Sequence, residues 1–228
     1  MSRALLLQLR SELKKNGDAA KAPQMQRYMK SVMPYHGVPT PVARRIYREV
    51  FSSVVFKNAD EWQSAVRHIW RHAKYREEWY AAVELCGHPA ADAYQTPDAL
   101  DLYEEMIVSG AWWDVVDALA SHQVGLLLRR YPKPIAKAMR AWSRSGDIWK
   151  RRTSILCQLG FKKDTDLKLL YACIDPSLDS KEFFLRKAIG WALRQYAWTD
   201  AEEVRRYVRE NSARLSPLSR REALKNIN

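Results

Sequence analysis

The stretch Lys181-Glu182-Phe183-Phe184-Leu185-Arg186-Lys187-Ala188-Ile189-Gly190-Trp191 decides what kind of fold this chain adopts. At about 100° per residue, Phe184, Leu185, Ala188, Ile189, Ala192, Leu193 and Tyr196 cover one half of a helix, and Lys187, Trp191 and Arg194 share the other. Burying a large aromatic side chain is worth roughly 2 to 3 kcal/mol. An indole held off the apolar half, among cations, therefore predicts either a surface that meets a ligand or cover by a neighbouring helix.

A second stretch, Trp112-Trp113-Asp114-Val115-Val116-Asp117, has the same design with the opposite charge. Trp112, Val115, Val116, Leu119 and Ala120 form an apolar stripe, while Trp113 and Asp117, four residues apart, stack on its flank. A third, Asp147-Ile148-Trp149-Lys150-Arg151-Arg152, again sets tryptophan beside charge.

The same periodicity runs through the chain. Helices are expected near 3–15, 24–33, 41–55, 59–72, 75–87, 97–108, 112–129, 133–144, 147–159, 164–174, 181–197, 200–211 and 217–226, with proline between them rather than within. Asp60-Glu61, Thr96-Pro97-Asp98 and Ser180 read as helix starts. No alternating strand pattern occurs. Helices of this length on short connectors predict an all-α solenoid of stacked antiparallel helix pairs, one domain over 1–228, with a compact helical bundle as the alternative.

The formal charge is +12, and the 38 lysines and arginines are spread along all 228 residues, which predicts a folded basic surface with nucleic acid as the leading partner. Cys86, Cys157 and Cys173 are scattered among apolar residues and read as reduced buried thiols of an intracellular protein. The segment from Met1 to Gln8 reads as the first amphipathic helix rather than a signal peptide. No stretch approaches the roughly 20 apolar residues needed to span a bilayer. His68 and His72 stand one helical turn apart without a third ligand, so no metal is expected. Phosphate-loop, nucleophile-elbow and zinc spacings are missing, in keeping with a hydrolase without cofactor.

These three stretches, with Met25-Gln26-Arg27-Tyr28-Met29-Lys30 and Pro217-Leu218-Ser219-Arg220-Arg221-Glu222-Ala223, resemble the AlkD family of bacterial DNA alkylation repair glycosylases from about Pro23 to Lys225. The resemblance implies a superhelix of HEAT-like helix pairs with a basic concave face. It also implies hydrolysis of the N-glycosidic bond of alkylated purines in duplex DNA, without extruding the base. By the same resemblance Asp117 is the catalytic aspartate, Trp113 and Trp191 are the lesion-facing indoles, Arg152 contacts DNA, and Tyr28, Thr40 and Arg44 touch its backbone. Pro39 departs from the family pattern beside Thr40.

The chemistry can be argued without the family. A purine alkylated at N3 or N7 is cationic and leaves without a general acid, so what remains is to stabilise positive charge on the deoxyribose and to orient water. One carboxylate can do both. Indole faces attract an electron-poor sugar or base, and Arg152, Lys187 and Arg194 would clamp phosphates. Arg151 competes with Arg152 for that contact, and Asp117 could instead be a structural partner of a nearby arginine. The expected protein is a monomeric, metal-free glycosylase of the cytoplasm and nucleoid that leaves an abasic site. The alternative is a non-catalytic helical-repeat module that binds damaged or branched DNA, or an acidic protein.

Overall fold

Apolar spacing of three and four residues is realised as helix almost wherever it occurs. The computed structural model describes residues 2–227, and every regular element among them is helical. The chain divides into two compact units, one ending at Gln95 and the other beginning at Thr96.

The first unit comprises α1 (Ser2–Lys15), α2 (Ala22–Met29), α3 (Thr40–Phe51), α4 (Ala59–His72) and α5 (Arg76–Cys86), followed by a 3-10 turn at Pro89–Tyr94. Helix α1 packs on α3 and α4, and the short connector 73–75 turns α5 back along α4. Leu9, Leu13, Ile46, Trp62, Val66, Ile69 and Leu85 close this core. Helix α4 is capped by Asn58, whose side chain accepts from Glu61 N at 2.9 Å, and not by Asp60. Asp60 and Glu61 supply the acidic first turn instead.

Two adjacent buried carboxylates organise this unit. Glu77 accepts from the backbone N–H groups of His36 (3.0 Å), Gly37 (2.9 Å) and Val38 (3.2 Å), which pins the loop that launches α3. Gly37 has φ +83, and a Cβ there would lie 2.1 Å from the Asp18 carbonyl oxygen, so only glycine fits. Glu78 takes a two-pronged bond from Arg10, at 2.9 and 3.1 Å.

The second unit begins with a 3-10 turn at Pro97–Ala99. It continues through α6 (Leu100–Gly110), α7 (Trp113–Ala118), α8 (Gly125–Arg130), α9 (Pro132–Trp142), α10 (Ile148–Leu156), α11 (Leu167–Ile174), α12 (Phe183–Ala197), α13 (Ala201–Glu210) and α14 (Pro217–Leu224). All thirteen expected helical segments are present, and neighbours pack in sequence: α6 on α7, α8 on α9, α9 on α10, and α12 on α13 and α14. The all-α, helix-pair class read from the sequence is what the chain adopts.

Three local features differ from expectation. The segment expected as one helix at 112–129 runs as α7 and α8 joined by a π-helical turn, Leu119–Val124, directly after Asp117 and Ala118; such widened turns recur at functional sites. Helix α12 starts at Phe183, and Ser180 lies before it, its Oγ accepting from Glu182 N at 3.2 Å. Thr96 precedes Pro97 as expected, but its side chain makes no capping bond.

The stripe Leu185, Ala188, Ile189, Ala192 and Leu193 is buried as the periodicity predicts, with Trp191 partly buried against the same core. Gly190 is buried on α12 because α14 crosses there. A Cβ would sit 2.5 Å from Glu222 Cβ and 2.9 Å from the Ser219 carbonyl oxygen. Gly190→Ala is therefore expected to destabilise the fold by about 1 to 3 kcal/mol, the cost of overpacking, measured as a lower urea midpoint. An unchanged midpoint would show that α14 can shift freely.

Candidate active site

The site is built from α7, α10 and α12 of the second unit. Ala111, in the left-handed region at φ 39, ends α6 and turns the chain so that Trp113 opens α7. One turn later Asp117 stands on the same face of α7 as Trp113. Below them Val115, Val116, Leu119 and Ala120 are fully buried. Trp112, which precedes α7, packs with Trp149 and Phe184 at ring-centroid distances of 6.1 and 5.2 Å. This aromatic cluster anchors α7 to α10 and α12.

Helix α10 begins at a strong cap: Asp147 accepts from the N–H groups of Trp149 (2.8 Å) and Lys150 (2.9 Å). From its second turn Arg152 reaches Asp117 in a bidentate pair, Nε to Oδ1 at 2.7 Å and Nη2 to Oδ2 at 2.8 Å. Arg152 Nη1 donates to the Phe184 carbonyl in the first turn of α12. One guanidinium thus ties the carboxylate on α7 to the helix that carries Trp191, two turns or about 10 Å further along.

The side chains of Arg152 and Asp117 are 5% and 13% exposed, so the pair is shielded without the Asp117 side chain being fully closed off. Burial pushes the Asp117 carboxyl above its ordinary range; the hydrogen bonds and charge of Arg152 oppose that rise, and neighbouring Asp114 adds to it.

The resemblance gives Arg152 to the DNA. Here its guanidinium is buried and turned to Asp117, because a carboxylate matches the planar fork better than water does. The competing Arg151 is also engaged within the protein: it donates to Ser177 Oγ at 2.9 Å and to the Pro176 carbonyl at 2.8 Å. The alternative in which Asp117 partners an arginine is thus realised geometrically.

Lys187, Trp191 and Arg194 share one face of α12, as the periodicity requires, but the two cations are paired. Glu222 of α14 accepts from Lys187 Nζ at 2.9 Å through one carboxylate oxygen and from Arg194 Nη1 at 2.7 Å through the other. Both cations hold the Glu222 carboxyl below the usual carboxylate range, Lys187 most strongly. Sequence reading gave Glu222 no role, since nothing local in Arg220-Arg221-Glu222 reveals a partner across the helix pair.

Tyr28, Thr40 and Arg44 lie in the first unit. Tyr28 is 78% exposed on α2. Thr40 opens α3 and shares a face with Arg44, which is exposed and makes a loose ion pair with Glu84 at 3.5 Å. His68 and His72 stack at 4.3 Å, and among the described residues no three His, Cys, Asp or Glu side chains are grouped to hold a metal ion. Cys86, Cys157 and Cys173 are buried free thiols. Among the described residues no helix is long and apolar enough to cross a membrane.

An all-helical chain whose sequential neighbours pack on one another belongs to the class of all-α helical-repeat folds. The comparisons name the family. The family model for the DNA alkylation repair enzyme matches residues 9–227, and the chain belongs to that family, whose role is DNA repair. A solved structure described as "Predicted DNA alkylation repair enzyme from Enterococcus faecalis" is similar over 93% of this chain and 97% of that one, with 25% identity and a TM-score of 0.84. No curated protein matches.

Proposed function

We propose that this protein is a monofunctional DNA glycosylase that hydrolyses the N-glycosidic bond of cationic N3- and N7-alkylated purines in duplex DNA and leaves an abasic site. The observation that carries this reading is the Asp117 carboxylate, fixed by two hydrogen bonds from Arg152, on a side chain that is not fully buried, and one helical turn from Trp113. A catalytic group must be held in place before the reaction begins, and a bidentate guanidinium does that.

In the proposed reaction the bond between C1′ and the purine nitrogen breaks, and its electron pair neutralises the cationic base. Asp117 stabilises the positive charge left on the sugar and orients a water molecule, whose oxygen bonds to C1′ as one of its protons passes to bulk solvent. Trp113 and Trp191 would flank the electron-poor sugar and base. Lys187 and Arg194, with Tyr28, Thr40 and Arg44 of the first unit, would meet the DNA backbone. Nothing in this scheme requires the base to be flipped out, since the carboxylate acts on the sugar. The protein is proposed to act as a monomer on chromosomal DNA, and the family match runs across both units.

A second reading keeps the family and removes the chemistry. Both oxygens of Asp117 are engaged by Arg152, as in a structural strut, which suits a module that binds damaged DNA without cutting a bond. Incubation with duplex DNA carrying a single N7-methylguanine separates the two. Released free base together with alkali-sensitive strand breaks is the expected result. Tight binding with no base released would establish the binding module.

A further inference from the structure

The face of α12 assigned above to DNA is already partly neutralised from within the protein. Glu222 spans Lys187 and Arg194, one oxygen to each, on either side of Trp191 in the sequence. A phosphodiester likewise presents two free oxygens and one negative charge to its cations.

The arrangement is built into the helix pair. Gly190, between the two cations on α12, lets α14 approach until only a glycine fits beneath Glu222 Cβ. Ser219 Oγ donates to the Arg186 carbonyl at 3.0 Å and fixes the register of α14 against α12. Helix α14 could have crossed with a neutral residue at this point. Instead it delivers a carboxylate that is itself largely buried, with 13% of its side chain exposed, into the middle of the basic face.

We propose that Glu222 is an internal stand-in for a DNA phosphate: it holds Lys187 and Arg194 in position on α12 and must be displaced from them when duplex DNA binds, which weakens binding to undamaged DNA. This rests on the reading that the Lys187–Trp191–Arg194 face meets DNA. It does not depend on whether a glycosidic bond is cut. An acid at this point reduces the charge of the contact face by one, so non-specific affinity falls while the cations stay ordered for a correctly seated backbone. Weaker grip on undamaged duplex leaves more of the protein free to reach rare lesions.

The test uses full-length protein and an undamaged, lesion-free duplex, with affinity measured across a salt series. Glu222→Gln keeps the shape and removes the charge. It is expected to bind about tenfold more tightly at low salt and to steepen the slope of log K against log salt by about 0.9, the increment for one further neutralised phosphate. Circular dichroism checks that it folds. Should Glu222→Gln fail to fold, Glu222→Asp, one methylene shorter and unable to span both cations, is expected to raise the affinity by a smaller factor.

Lys187→Ala made alone and with Glu222→Gln completes a double-mutant cycle. The loss of affinity is expected to be larger when Glu222 has been neutralised, because Lys187 is then free for phosphate. Unchanged affinity and slope in the folded Glu222 variants, equal cost of Lys187→Ala in both backgrounds, or no duplex binding by any of the proteins would each overturn the proposal. Because the duplex carries no lesion, these outcomes are distinct from a failure to release N7-methylguanine.

Discussion

Asp117→Asn is expected to slow release of N7-methylguanine from duplex DNA by about 10²-fold or more, the scale of losing one preorganised electrostatic group, with DNA binding retained. The substitution keeps the size of the side chain and removes the charge that would face the developing positive sugar. It also disturbs the pair with Arg152, since an amide NH₂ group would oppose one of the two guanidinium donors now bound at 2.7 and 2.8 Å. Base release is therefore compared under single-turnover conditions, at a temperature where circular dichroism shows both proteins folded. Equal rates would remove Asp117 from the chemistry and leave it as a strut.

The second large effect is on stability. Arg152→Ala strands a shielded carboxylate and also removes the donor to the Phe184 carbonyl, so a loss of about 3 to 5 kcal/mol is expected, the usual result of breaking one half of a buried ion pair. Urea denaturation measures it, and a loss below about 1 kcal/mol would mean that water replaces the guanidinium without penalty.

The dependence on pH has a definite sign. Burial already raises the Asp117 carboxyl, and Arg152 is the opposing influence, so without Arg152 it rises further. A carboxyl raised in the folded state favours its protonated form there. The burden of burying the ion is present above the folded pKa and relieved as pH falls below it. The Arg152→Ala defect should therefore be larger at neutral pH than in acid. Base release, which in the proposed mechanism needs the ionised form, is expected to fail at a higher pH than in the parent as the solution is acidified. A defect of equal size at both pH values would contradict the pairing.

Much of this was legible in one dimension. The approximate positions of the helical segments followed from apolar spacing and proline placement, because the free energy that forms each helix comes from burying one stripe, and a stripe is a local pattern. Trp113 and Asp117 could be put on one face because four residues make just over one turn. The same reasoning put Lys187, Trp191 and Arg194 together. The start of α4 was read at Asp60-Glu61, whereas the capping side chain is Asn58, which accepts from Glu61 N. The π turn at Leu119–Val124 was also not legible, since a widened turn leaves no mark on composition or period.

The sequence by itself determined an all-helical, basic protein with tryptophans set beside charge, and the family resemblance that the family match then established. Only the tertiary structure decided where the charges are spent: Arg152 on Asp117, Arg151 on the Pro176–Ser177 turn, and Glu222 between Lys187 and Arg194. The physical reason is range. A helical face is fixed by residues three and four apart, whereas these pairs join residues 25 to 35 positions apart, and which cation meets which acceptor depends on how closely two packed helices approach.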